Sequence, residues 1–364
     1  MRIDEIKKYQ ISNRQLFFII INICVGTGIL SLPRTISKVS RQDSWLSIII
    51  GGFLWMIAIF IMYKLAKRFP NDTIIQYNDK ILGSYLGKIL SLIFIIYGVL
   101  TTAIITRLFI TVLTTFVLPK TPIWITTAIL LLTSYNLVSH GLKTLARLYE
   151  FLFFILSPAF LLILPIFTRA ELLNFQPFLG TGFMNIIEGS YITMFSYIGP
   201  EIILLIFPFI KEKNKALKSS TLGLGVVTLT YLFIVTASIG FYGVETLQFI
   251  SWPTINLLKA VRIPFFGRLE FVFMFIWIAI AFTTISSYFF MSSYGLTQLL
   301  HWEDQRYAAF ILLPFIAEVA IIPKNILQVF DYTSLIATIG VLLFFTTPLL
   351  LLIIAKLRGI KGER

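Results

Sequence analysis

A chain of 364 residues that is 57% hydrophobic and only 13% charged, with a mean hydropathy of +0.89, reads as an integral membrane protein rather than a water-soluble domain. Its net charge of +13 is spread over short loops, which excludes a basic nucleic-acid-binding module and leaves topology and anionic lipid headgroups as its meaning. The lone cysteine, Cys24, excludes an intramolecular disulfide, and no metal-ligand spacing or phosphate-cradling motif points to an enzyme, a metal or a cofactor.

Ten apolar segments follow along the chain: about 15–37, 43–66, 86–118, 122–139, 144–168, 183–210, 219–242, 269–296, 307–322 and 331–355. Most reach the roughly 20 residues needed to cross ~30 Å of hydrocarbon. The first is too long for a cleavable leader and runs straight into a second, so no signal peptide is expected. Lys and Arg gather on one side: Arg2, Lys7, Lys8 and Arg14; Lys64 to Lys88; Lys143 and Arg147; Lys211 to Lys218; Lys356 to Arg364. Fewer lie on the other, among them Arg34, Lys38, Arg41, Lys120, Arg169, Lys259, Arg262, Arg268 and Lys324. That asymmetry places both termini in the cytoplasm. The longest gap, roughly 243–268, carries Trp252-Pro253-Thr254, Pro264 and Gly267 and predicts an ordered outer loop with a short helix.

The first segment is interrupted by Val25-Gly26-Thr27-Gly28 and closed by Ser31-Leu32-Pro33. Two glycines in mid-membrane suit a place where the helix opens and offers backbone groups to a ligand. A half-helix starting near Thr27–Gly28 would turn free N–H groups and a positive dipole end toward an anion such as a carboxylate. Close helix packing is the alternative use of Gly26 and Gly28. The sixth segment is interrupted by Ser196-Tyr197-Ile198-Gly199-Pro200-Glu201, where Pro200 cannot donate a backbone bond. These positions correspond if one transmembrane domain, 1–364, consists of two five-helix repeats, about 12–170 and 180–356. Matched breaks predict a midplane site for a small polar molecule.

Glu201, near mid-membrane, suits three roles: holding a ligand ammonium, carrying a proton, or capping the half-helix. Tyr191, Phe195 and Tyr197 offer aromatic walls. Arg107 is the one basic residue deep in a span; spacing puts Thr111 and Thr114 on its face, a polar stripe that would attract an anionic group or pair with an acidic residue such as Glu201 or Glu188. With Thr284 and Ser287 it would mark a polar or ion pathway. Thr283-Thr284-Ile285-Ser286-Ser287 in the eighth segment gives Thr284 and Ser287 two readings. They coordinate a cation beside freed carbonyls, or they hydrogen-bond their own helix.

Ile11-Ser12-Asn13-Arg14-Gln15-Leu16 leading into Gly26-Thr27-Gly28-Ile29-Leu30 and Leu32-Pro33 resembles the start of the spore-germination receptor B subunits. These GerAB-like proteins are a branch of the amino acid–polyamine–organocation superfamily. The likeness continues in Leu118-Pro119-Lys120-Thr121-Pro122, Gly199-Pro200-Glu201 with Pro208, Trp252-Pro253-Thr254 and Arg268-Leu269-Glu270. It implies an all-α LeuT-like fold of ten transmembrane helices, with helices 1 and 6 interrupted, in the inner membrane of a bacterial spore. It further implies A-type and C-type receptor subunits as partners, and a germinant pocket lined by Gly26, Thr27, Gly28, Tyr197, Gly199 and Glu201. Family members carry an acidic residue one turn after the span-three arginine, where this chain has Thr111, so the role of Arg107 does not transfer simply.

The resemblance therefore implies a membrane subunit that binds a small germinant, an amino acid in the first instance, and triggers germination. The residues themselves suit an amino acid transporter coupled to H+ or Na+ equally well, because binding without transport needs the same pocket.

Overall fold

The computed structural model describes residues 9–260 and 269–362. The charges counted at Arg2, Lys7, Lys8, Arg262, Arg268 and Arg364, and the turn signals Pro264 and Gly267, lie outside the described residues. Each of the ten apolar segments falls on helical residues. Among the described residues, five helical runs are long and apolar enough to cross a membrane: Gly28–Arg68, Ser84–Phe116, Lys213–Leu247, Phe271–Leu299 and Ile326–Leu357. Two bent pairs meet the same measure together, Ile123–Ser139 with Leu142–Ile155 (116°) and Phe183–Tyr197 with Pro200–Phe209 (52°). The chain is a multi-pass membrane protein.

The first helix, α1 (Asn13–Cys24), starts at a capping box: Gln15 N–H donates to Ser12 Oγ (3.1 Å) and Ser12 N–H to Gln15 Oε1 (2.9 Å). After the break come α2 (Gly28–Ser40), α3 (Ser44–Arg68) and a short α4 (Ile74–Leu82), the last with its own Thr73–Gln76 capping box. The long α5 (Ser84–Phe116) leads to α6 (Ile123–Ser139) and α7 (Leu142–Leu156), which runs on as a 3-10 helix to Arg169. The second broken segment is α8 (Phe183–Met194) with its 3-10 end, then the one-turn α9 (Ile203–Ile206). The rest is α10 (Ala216–Leu247), α11 (Pro253–Ala260), α12 (Leu269–Leu299), α13 (Gln305–Ile321) and α14 (Ile326–Leu357). The short helix expected in the gap between spans seven and eight is α11.

Small residues set the closest approach around the breaks. A Cβ on Gly189 of α8 would stand 1.7 Å from Ser40 Oγ, and one on Gly51 of α3 would stand 2.0 Å from Thr193 Oγ1. Hydroxyls then bond across the seam: Ser47 Oγ donates to the Ile186 carbonyl (2.8 Å) and Ser40 Oγ to the Asn185 carbonyl (3.0 Å). Elsewhere α12 packs along α5, and Phe109 stacks on Trp277 with ring centroids 5.3 Å apart.

One end of the broken helices is sealed by main chain. Ile11 N–H donates to the Phe209 carbonyl (2.9 Å) and Lys211 N–H to the Ile11 carbonyl (3.0 Å), an isolated parallel bridge between Ile11 and Ile210. Above it, Tyr9, Phe209 and Tyr294 form an aromatic cluster with centroids 5.4 to 5.7 Å apart. The Glu150 carboxylate pairs with Arg14 on this same side at 2.7 Å.

Candidate ligand-binding site

The first break follows from its residues. Val25 N–H still reaches the Ile21 carbonyl (2.9 Å), but Gly26 N–H folds back onto the Cys24 carbonyl (2.9 Å), and α2 begins only at Gly28. Thr27 supplies no side-chain cap, so the Gly28 and Ile29 N–H groups lack intrahelical partners, while Leu30 N–H reaches the Thr27 carbonyl (3.2 Å). The glycines make room for neighbours: a Cβ on Gly26 would lie 2.6 Å from Thr284 Oγ1, and one on Gly28 3.4 Å from Ser196 Oγ. At the second break Gly199 has φ +142°, and a Cβ there would lie 2.8 Å from Ile23 Cγ2, so glycine is required for both conformation and space.

The two breaks share one cavity of about 480 Å³. That is within the roughly 300–1,000 Å³ of small-molecule sites. Gly26, Thr27 and Gly28 form one wall and Phe195, Ser196 and Ile198 the facing one. Tyr97, Thr101 and Leu108 of α5, and Thr284 and Tyr288 of α12, close the sides. The cavity runs up α2 to Lys38 and, across from it on α14, Asp331; both are exposed and opposite in charge. The buried Tyr97 Oη and Thr101 Oγ1 cluster with the Tyr288 hydroxyl in this wall and keep hydrogen-bonding capacity that a polar ligand or water can use.

Most carbonyls released by the breaks are served by side chains of the surrounding helices. The Asn22 carbonyl accepts from Thr284 Oγ1 (3.0 Å) and Thr283 Oγ1 (3.3 Å), and the Gly26 carbonyl from Trp277 Nε1 (3.3 Å). Tyr231 Oη lies 2.8 Å from both the Cys24 and the Ser196 carbonyls, and the Cys24 thiol 3.6 Å from the Tyr197 carbonyl.

Of the site residues expected from sequence, Gly26, Thr27, Gly28 and Thr284 line the cavity. Tyr197 stands behind the wall, its hydroxyl donating to the Ile48 carbonyl (3.0 Å). Glu201 is fully buried one layer back, where Oε2 accepts the Gly199 N–H (2.7 Å) and Oε1 the Tyr288 hydroxyl (2.9 Å). Of its three expected roles the geometry favours the cap, extended to fix a cavity tyrosine. Ser287 Oγ donates to the Thr283 carbonyl (2.8 Å) and meets the Tyr149 hydroxyl, so the reading of local helix bonding describes it. Arg107 is buried and donates to the Pro323 carbonyl, so the expected partners Glu201 and Glu188 do not meet it; both oxygens of Glu201 are already engaged. Thr111 and Thr114 bond back to their own helix, to the Arg107 and Ile110 carbonyls. Of the aromatic walls, Phe195 faces the cavity, while Tyr191 is exposed and packs edge-on against it at 5.2 Å.

Sequence reasoning missed Tyr97, Thr101 and Tyr288. Their signal was there: Tyr97, Thr101, Ile104, Ile105 and Leu108 recur at i, i+4, i+7, i+8 and i+11, one face of α5, and Thr284 and Tyr288 are one turn apart. The buried Thr101 hydroxyl yields a prediction. Thr101→Val keeps the shape, so the level of the protein in the membrane should stay at wild type. A ligand that uses the hydroxyl should lose about tenfold in potency, the ordinary worth of one hydrogen bond. An unchanged dose–response curve would take Thr101 out of the site.

The family model for spore germination proteins matches residues 10–329. This chain belongs to that spore germination protein family. Spore germination protein YndE of Bacillus subtilis (strain 168) is 33% identical over 362 residues, covering 98% of each chain. Spore germination protein GerQB of Bacillus cereus is 27% identical over 311 residues, covering 85% of each. Among solved structures, MhsT in complex with L-phenylalanine superposes with a TM-score of 0.63 at 12% identity, over 97% of this chain and 99% of that one. This chain thus has a LeuT-like fold. The kinship and the LeuT-like fold that the resemblance implied are what the comparisons find.

Proposed function

We propose that this chain is the germinant-binding membrane subunit of a spore nutrient receptor, and that the cavity joining its two helix breaks holds a small germinant, an amino acid. The observation that carries the reading is the meeting of both breaks in one cavity with the uncapped start of α2 in its wall. A ligand carboxylate would face the N–H groups at Gly28, and its ammonium the polar groups opposite. Gly26, Thr27 and Gly28 contact the ligand; Tyr197, Gly199 and Glu201 hold the wall behind it. Arg107 and Ser287 are structural in this reading, and Thr284 braces the break.

The ten helical segments would cross the membrane as two inverted repeats, about 12–170 and 180–356, with both termini in the cytoplasm. Lys and Arg asymmetry supports that orientation, and it turns the Lys38–Asp331 mouth toward the outer face, where nutrients arrive at the spore inner membrane. Binding would favour one arrangement of the broken helices over another, and A-type and C-type subunits would read the shift. The test is dipicolinic-acid release from spores lacking the gene, challenged with single amino acids and mixtures. Loss of one nutrient response, restored by the wild-type gene, supports the reading. An unchanged profile together with uptake of labelled amino acid by vesicles carrying the chain alone would favour the second reading, a secondary transporter, which the fold likeness to MhsT supports.

A further inference from the structure

Tyr231 lies outside every motif that the sequence drew attention to, yet its hydroxyl joins the two breaks, beside the longer contact of the Cys24 thiol with the Tyr197 carbonyl (3.6 Å). It projects from α10, fully buried, and stands 2.8 Å from the Cys24 carbonyl at the first break and 2.8 Å from the Ser196 carbonyl at the second. A phenol has one proton to donate. The Cys24 carbonyl already accepts from Gly26 N–H, and Tyr231 is the donor to the Ser196 carbonyl. The hydroxyl therefore serves one carbonyl fully or shares itself between two. Whatever draws one carbonyl away strengthens its bond to the other.

The support is stiff. The Tyr231 ring packs on Tyr197 with centroids 5.2 Å apart, and Tyr197 is pinned to Ile48 of α3. Helix α10 approaches α1 closely enough that a Cβ on Gly223 would lie 3.0 Å from the Phe17 carbonyl. A fixed hydroxyl shared between two acceptors, one on each broken helix, is a coupling element. We propose that Tyr231 is the positioning residue that makes the two broken helices move as a pair; its use in signalling rests on the receptor reading above, but the coupling itself does not.

The test is hydrogen–deuterium exchange of the full chain in bilayer nanodiscs, comparing wild type, Gly26→Ala, Tyr231→Phe and the double variant. Gly26→Ala disturbs the first break alone, because its new Cβ faces Thr284 and not the second break. With Tyr231 in place, Gly26→Ala should raise exchange at both 24–30 and 195–201. Combined with Tyr231→Phe, it should raise exchange at 24–30 only. Equal transmission in both backgrounds, including none in either, overturns the proposal. A bracing residue with no coupling role would instead loosen both segments on Tyr231→Phe and leave transmission intact.

Spores give the second readout. Tyr231→Phe spores with wild-type levels of the protein should release dipicolinic acid about tenfold more slowly at saturating concentrations of a mixture of the standard amino acids, the worth of one hydrogen bond. A wild-type rate overturns the role in signalling. Failure of wild-type spores to depend on the gene at all would remove the receptor reading and leave the exchange result standing.

Discussion

Gly28→Val is expected to abolish the germinant response while the protein stays in the membrane at its normal level. Gly28 opens α2 and faces Ser196 across the cavity, where an added Cβ would stand 3.4 Å from Ser196 Oγ. That is tight but tolerable for a methyl group. The two further methyls of valine are not: they push the breaks apart or enter the cavity beside the free N–H groups. Overpacking of this kind costs about 1–3 kcal/mol. Directed at the binding state, the upper figure is roughly a hundredfold in potency. Gly28→Ala is the control, with partial response expected. Dose–response curves for dipicolinic-acid release, set against immunoblots of spore membranes, decide the matter; a full response from the valine variant would remove Gly28 from the site.

Glu201→Gln should weaken the response by roughly tenfold or more, because a buried donor that loses its acceptor costs about 1–3 kcal/mol. The carboxylate faces two donors, the fixed Gly199 N–H and the rotatable Tyr288 hydroxyl. A carboxamide can accept from only one of them on its oxygen, so the Tyr288 proton must turn elsewhere and the tyrosine loses its orientation in the cavity wall. Glu201→Leu removes both acceptors and should silence the response. Tyr288→Phe should fall between wild type and Glu201→Gln, since it removes the oriented hydroxyl but leaves Gly199 capped. A Glu201→Gln variant with an undiminished response would show that the carboxylate serves the fold alone.

Much of this was legible in the sequence for a physical reason. Backbone that opens inside a membrane needs glycine and proline, and those residues are rare enough elsewhere in a span to stand out, as Gly26, Gly28, Gly199 and Pro200 do. The side chains that complete the site are ordinary span residues. Tyr97, Thr101, Tyr231 and Tyr288 could each have been packing aromatics or back-bonded hydroxyls, and only the tertiary arrangement distinguishes them. Arg107 shows the reverse error. A cation in a span suggests an acidic partner, but here a main-chain carbonyl at Pro323 takes one donor while Nε is left buried without a partner, and no pattern of charged residues records a carbonyl. Glu201 and Tyr197 were placed at the right break but one layer too far forward, because helical spacing gives a direction only where the helix is continuous.

The bridge between Ile11 and Ile210 ties the chain ahead of α1 to the end of the second broken segment through peptide groups alone, and none of its residues lines the cavity. Such a tie has nothing to titrate and nothing to oxidise, and side-chain exchange at either residue leaves its two bonds in place; proline at position 11 would remove one of them. The two broken helices are therefore latched at one end by a clasp that most point mutations cannot open.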